Sequence, residues 1–150
     1  FNIDKSAVLI FQHPRANPIE PYTWRLGLSP LTIVDCYKYL GVELEQNLSY
    51  KTFKERVTDK ARKRMVSAFM NQSKLTIRAM LNLWESYIKP TLEYGSEIWG
   101  SGNWEEAEVI QRKAARRILS AGPSSANPAI VGELGWWTMS ASRDVKKLKY

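Results

Sequence analysis

The residues able to do chemistry in this sequence are few. The four aspartates, Asp4, Asp35, Asp59 and Asp144, are scattered, and no two stand at a spacing that would hold a divalent cation between carboxylates. One histidine, His13, and one cysteine, Cys36, give neither a zinc-ligand set nor a partner for a nucleophile, and His13 is followed by Pro14 in a loop-like stretch. Glu105, Glu106 and Glu108 read as the acidic first turns of a helix, where the macrodipole favours them. Neither a GxGxxG nor a GxxxxGK[ST] phosphate loop occurs. The expectation is that this stretch binds rather than catalyses, and that it holds no metal.

What it would bind follows from charge. Twenty-two Lys and Arg against 15 Asp and Glu leave +7 over 150 residues, with a pI near 9.6. Such a balance suits a polyanion, nucleic acid ahead of an anionic membrane surface. The charge is densest between Lys51 and Arg64, where Lys51, Lys54, Arg56, Lys60, Arg62, Lys63 and Arg64 face only Glu55 and Asp59, a local net of +5. Lys51, Lys54 and Arg62 read as lying away from the apolar stripe of the same segment. Two readings stand side by side: a surface for phosphates, or a merely solvated basic face. Trp84 lies in an apolar segment and reads as core. Trp24, Trp136 and Trp137 either pack in the core or stack on bases.

Several elements must position these groups. Ser6–Phe11 is an apolar run of strand length, and residues 12–21, with three prolines, form a loop. Tyr22–Leu28, Leu31–Val34 and Tyr39–Leu44 read as strands, with a turn at Ser29-Pro30, which together predict a small antiparallel sheet. From Ser49, a plausible N-cap, the period becomes helical, and Phe53, Val57, Ala61, Met65, Ala68 and Phe69 form one stripe as far as Met70. Leu75–Leu92 is apolar nearly all round, so it is the predicted centre of a bundle, kinked by Pro90 near Tyr87. Tyr94–Gly100 continues as a second segment. A third helix spans Trp104–Ala121, a short one Ala129–Leu134 after Pro128, and a last, basic one begins at Ser140. The fold class is therefore α+β: a β region over 1–46, helices over 47–122 and a further helical segment over 123–150. No stretch is apolar for long enough to predict a membrane span. A single cysteine suits an intracellular, reducing setting, nuclear and cytoplasmic. The chain starts and ends mid-pattern and reads as a piece of something longer.

Six segments resemble, in order, the reverse transcriptases of non-LTR (LINE-type) retrotransposons. They are Asp4-Lys5-Ser6 with Ala7–Phe11; Tyr37-Lys38-Tyr39-Leu40-Gly41-Val42; Ser49–Met65 with Lys60–Arg64; Tyr87-Ile88-Lys89-Pro90 through Trp99-Gly100; Val109–Leu119; and Gly132–Trp136. The likeness covers nearly the whole chain and lies downstream of that family's Tyr-x-Asp-Asp loop, which does not occur here. It implies the end of the palm, the primer grip and an α-helical thumb, used in target-primed reverse transcription. On this likeness Lys5 matches a lysine near the incoming triphosphate that assists departure of pyrophosphate. Tyr39, Leu40 and Gly41 match the turn that holds the primer end. Lys51, Lys54, Lys60, Arg62, Lys63 and Arg64 would follow the template–primer backbone by shape and phosphate rather than by base. The implied partners are an RNA template–DNA primer duplex and the remaining palm and fingers of the parent polypeptide. The chain itself would carry no cofactor, and Mg²⁺ belongs to the parent polymerase. The alternative is a non-catalytic interaction or scaffold module derived from such an element.

Overall fold

A computed structural model describes residues 2–12, 15–17, 22–100 and 102–149. The chain divides into two compact units, residues 1–53 and 54–150.

The first unit is mostly short strands. A 3₁₀ turn over Ile3–Lys5 leads into β1, Ala7–Val8. A hairpin of β2 (Arg25–Leu26) and β3 (Ser29–Pro30) follows, then β4 (Thr32–Ile33), β5 (Cys36–Tyr39) and β6 (Val42–Glu45). In place of the expected small antiparallel sheet, the described residues form three separate two-stranded ladders. β2·β3 and β5·β6 are antiparallel, but β1·β4 is parallel. The connection from β1 to β4 is longer than the dozen or so residues a parallel pair needs, so nothing forces the antiparallel sense. The strand expected over Ser6–Phe11 is paired only at Ala7 and Val8 because β4 offers two residues of ladder. The turn expected at Ser29-Pro30 sits two residues earlier. Gly27 has φ +62 at the first central position of a two-residue hairpin turn, a backbone that glycine adopts without strain. Residues 39–44, expected as one strand, contain the β5–β6 turn. The loop read over 12–21 lies largely outside the described residues, as does His13.

The second unit is helical. α1 runs over Lys51–Ala68, and its first turn belongs to the first unit. Val57, Ala61, Met65 and Phe69 of its stripe are buried, as the spacing predicts. The apolar segment after it is α2 (Ile77–Leu83), a π-helical turn (Trp84–Ile88) and α3 (Lys89–Glu93). Pro90 explains the interruption. It cannot donate to the ladder and its ring crowds the carbonyl four residues back. The helix widens instead, and Lys89 N–H bonds the Trp84 carbonyl five residues earlier. Gly95, at φ +66, then turns the chain into α4, Ser96–Trp99.

α5 (Glu105–Ile118) packs on α2, on α6 (Asn127–Glu133) and on α7 (Met139–Leu148), and α4 also packs on α7. Trp84, Ile88, Leu92, Trp99, Ile110, Ile118 and Met139 are almost wholly buried. Each such side chain contributes about 1.5–3 kcal/mol of burial. The buried carboxylates tie helices together. Glu108, read from sequence as one of the acids at the start of α5, caps α7, accepting from Met139 N–H at 3.1 Å and Ser140 N–H at 2.8 Å. Glu93 on α3 accepts from Ser142 Oγ at 2.6 Å and Lys146 Nζ at 2.8 Å on α7. Among the described residues no helix is long and apolar enough to cross a membrane.

Candidate nucleic-acid interface

In the first unit, β5 and β6 pair in register from Cys36↔Glu45 to Tyr39↔Val42, which leaves Leu40 and Gly41 as a two-residue turn. Both have positive φ, +47 and +86, the pattern of a type I′ turn. That backbone suits Gly41, but Leu40, as a non-glycine residue, costs about 1–2 kcal/mol there. The leucine is 73% exposed and the neighbouring Tyr39 58% exposed. The sequence thus spends stability to present an apolar tip to solvent, and strained, exposed residues of this kind concentrate at functional sites. Tyr37 Oη donates to the Lys5 carbonyl at 2.7 Å, so the 3₁₀ turn bearing Lys5 is fastened to the same hairpin. The Lys5 side chain is exposed.

The hairpin also sets the start of α1. The Glu45 carboxylate accepts a hydrogen bond from Ser49 Oγ, and Lys51 N–H donates to Ser49 Oγ at 3.3 Å. Hydrogen bonds from the Ser49 hydroxyl and from the hydroxyl and backbone N–H of Thr52 hold the Glu45 carboxyl below its ordinary range, against an opposing desolvation. Ser49, expected as the N-cap, lies one residue before it, since α1 starts at Lys51 and Tyr50 has φ +51; Glu45, brought over by the hairpin, was not legible in the sequence. The Cys36 thiol, beside this corner, is pushed up by desolvation and then by Glu43 and Glu45, which disfavours the nucleophilic thiolate.

Along α1 in the second unit, the exposed side chains are Glu55, Arg56, Asp59, Lys60, Arg62, Lys63, Val66 and Ser67, a net of +2 on that flank. Lys51, in the first turn, is exposed as well. Lys63 pairs with Asp59 at 2.6 Å, but both are well exposed and such a pair is worth only about 0.2–1 kcal/mol, so a phosphate can displace it. Lys60 and Arg62 make no ion pair among the described residues.

Two of the expected phosphate-binding residues point elsewhere. Lys54, expected to face away from the stripe, is half-buried, its Nζ 6.0 Å from the Trp99 ring centroid. Desolvation, then Arg143, pulls its pKa down; Glu106 opposes this and Lys147 adds to it. The correction was available in the spacing, since Val57, Thr58 and Ala61, three, four and seven residues on, are all buried. Arg64 turns into the bundle. Its Nη1 donates to the Tyr87 carbonyl at 3.0 Å and to Thr91 Oγ1 at 2.5 Å, and its guanidinium lies 4.6 Å from the Tyr87 ring centroid. It closes the π-turn that Pro90 imposes.

No group of three His, Cys, Asp or Glu that could hold a metal occurs among the described residues.

The chain is 29% identical over 126 residues to the probable RNA-directed DNA polymerase from transposon X-element of Drosophila melanogaster, covering 78% of this chain and 13% of that protein. It is 28% identical over 91 residues to the RNA-directed DNA polymerase from mobile element jockey of the same organism, covering 57% of this chain and 10% of that one. The chain thus spans only about a tenth of the length of the curated relatives it matches. No family model and no solved structure matches it. These likenesses support a reverse-transcriptase-related origin.

Proposed function

We propose that this chain is the primer-grip and thumb part of a non-LTR retrotransposon reverse transcriptase, and that it holds an RNA template–DNA primer duplex while residues elsewhere in the parent polypeptide join nucleotides. The observation that carries the reading is the outward flank of α1, where Lys60, Arg62 and Lys63 are exposed, with Lys51 exposed in the first turn of the same helix. Cations at helical spacing meet successive phosphates without reading bases. The Leu40-Gly41 turn fits a support for the primer end, its glycine allowing close backbone approach and Tyr39 and Leu40 supplying apolar contact. Lys5, on the turn fastened to that hairpin, fits the lysine that steadies the departing pyrophosphate. Lys54 and Arg64 serve this function indirectly, by fixing α1 in its bundle. The metal ions of polymerisation belong to the parent, together with its palm and fingers, in an intracellular setting.

A salt titration tests this. Affinity for an RNA–DNA hybrid should fall steeply with ionic strength because each phosphate neutralised releases counterions. The triple variant Lys60→Glu, Arg62→Glu, Lys63→Glu should flatten the slope of log K against log salt by about one for each phosphate it no longer neutralises. An unchanged slope in that variant, or an affinity indifferent to salt, counts decisively against the duplex-holding reading.

A further inference from the structure

The second unit also carries a groove of about 420 Å³, lined by Trp136, Trp137, Lys89, Lys146, Lys149 and Gln111 among others. We infer that it takes one unpaired nucleotide of a single strand, the base stacked on Trp137 and the phosphate held by Lys149. This rests on the reading that the chain binds nucleic acid, and adds to it a second foothold suited to an unpaired overhang or displaced strand.

Trp137 is 66% exposed, yet it does not lie in a loose tail. Its carbonyl accepts from the buried Gln111 side chain at 2.8 Å. One residue earlier, Trp136 stacks on the buried Trp84, with ring centroids 4.9 Å apart and planes at 21°. One residue later, Thr138 caps α7, its hydroxyl accepting from Ala141 N–H at 3.1 Å. The backbone under the indole is therefore held on three sides while the ring stays out in water. Exposing that much aromatic surface from a fixed backbone forgoes burial, and a stacking partner would recover it.

The charges beside it favour an anion. Lys89 and Lys146 are held in place by Glu85 at 2.9 Å and Glu93 at 2.8 Å. Lys149 is exposed and makes no ion pair among the described residues. Three lysines against Glu85 line the groove. An aromatic face beside a cation is the arrangement that binds single strands with little sequence preference. Inside a duplex each base face is already covered by its neighbours, and a blunt end opens only the outer face of its terminal pair, so an unpaired overhang or displaced strand is the form that offers the indole free base faces next to a phosphate. The volume lies within the range of about 300–1,000 Å³ usual for small-ligand clefts, enough for one nucleotide.

Fluorescence anisotropy on the 150-residue chain separates the alternatives, using a labelled oligothymidylate, a blunt RNA–DNA hybrid and the same hybrid with a single-stranded overhang. Trp137→Ala and Lys149→Glu should each weaken oligothymidylate and overhang binding, the former by about tenfold. Blunt-hybrid affinity should stay within about twofold, and Trp137→Phe should restore most of the loss by keeping a π face and the fold. Equal losses on blunt and single-stranded probes, or none on either, overturn the inference. So does an acidic peptide that binds at the groove where oligothymidylate does not. The α1 triple variant should lose the blunt hybrid and keep the Trp137-dependent binding. If it keeps the blunt hybrid while Trp137→Ala still loses the single strand, the duplex reading fails and this one stands.

Discussion

Arg62 and Arg64 are two residues apart on one helix and do different work. Arg62 is exposed, whereas Arg64 donates to a backbone carbonyl and a hydroxyl of the π-turn. Hydrogen bonds from a charged donor contribute about 1.5–3 kcal/mol each, and without Arg64 the Tyr87 carbonyl loses its charged donor and keeps the Thr91 hydroxyl at 3.2 Å. Arg64→Ala should therefore lower unfolding stability by about 2 kcal/mol in urea melts. Arg62→Ala should leave it within about 0.5 kcal/mol. If the two variants melt alike, the structural role of Arg64 is wrong. Arg143 marks the opposite condition. It is 1% exposed, its guanidinium lies 5.5 Å from the Trp104 ring centroid, and none of its three guanidinium nitrogens has a hydrogen-bond partner among the described residues. Desolvation lowers its pKa, with Glu108, Asp144 and Glu93 opposing.

At the scale of elements, the start of α1 depends on a residue from a strand. Glu45 at the end of β6 takes the hydrogen bonds that the first turn of the helix would otherwise leave unmade. Because folding lowers the pKa of this carboxyl, its contribution is present above the unfolded value near 4.5 and is lost as pH falls through the lower folded value. Glu45→Gln should cost about 1 kcal/mol at pH 7, as a lost cap does. The gap between variant and parent should close below pH 4.5. A gap that persists undiminished into acid would mean the carboxylate charge is irrelevant. The π-turn follows the same logic in reverse: a proline removes a bond, and the helix changes period rather than ending.

Across the whole molecule, order is unevenly distributed. Strands β1 to β4 are two residues each and hold no fully buried side chain, while residues 54–150 carry nearly all of the deep core. Local opening follows buried contact, so amide exchange should be slowest in α5 and the α2–α3 segment and fast in the β1·β4 ladder. Uniform protection across both units would refute that division. The amino-acid sequence by itself determined the change from β to α near Ser49, the buried stripe of α1, the break at Pro90 and the overall positive charge. Each of these is a local property, carried by spacing, ring closure or composition. It also misled where geometry is not local. A period of 3.6 says which residues share a face, but whether Arg64 meets solvent or a carbonyl depends on where Tyr87 comes to lie. Which carboxylates cap α1 and α7, Glu45 and Glu108, and whether two short strands run parallel were decided only in three dimensions, because those partners are distant in the chain and only folding brings a donor to its acceptor.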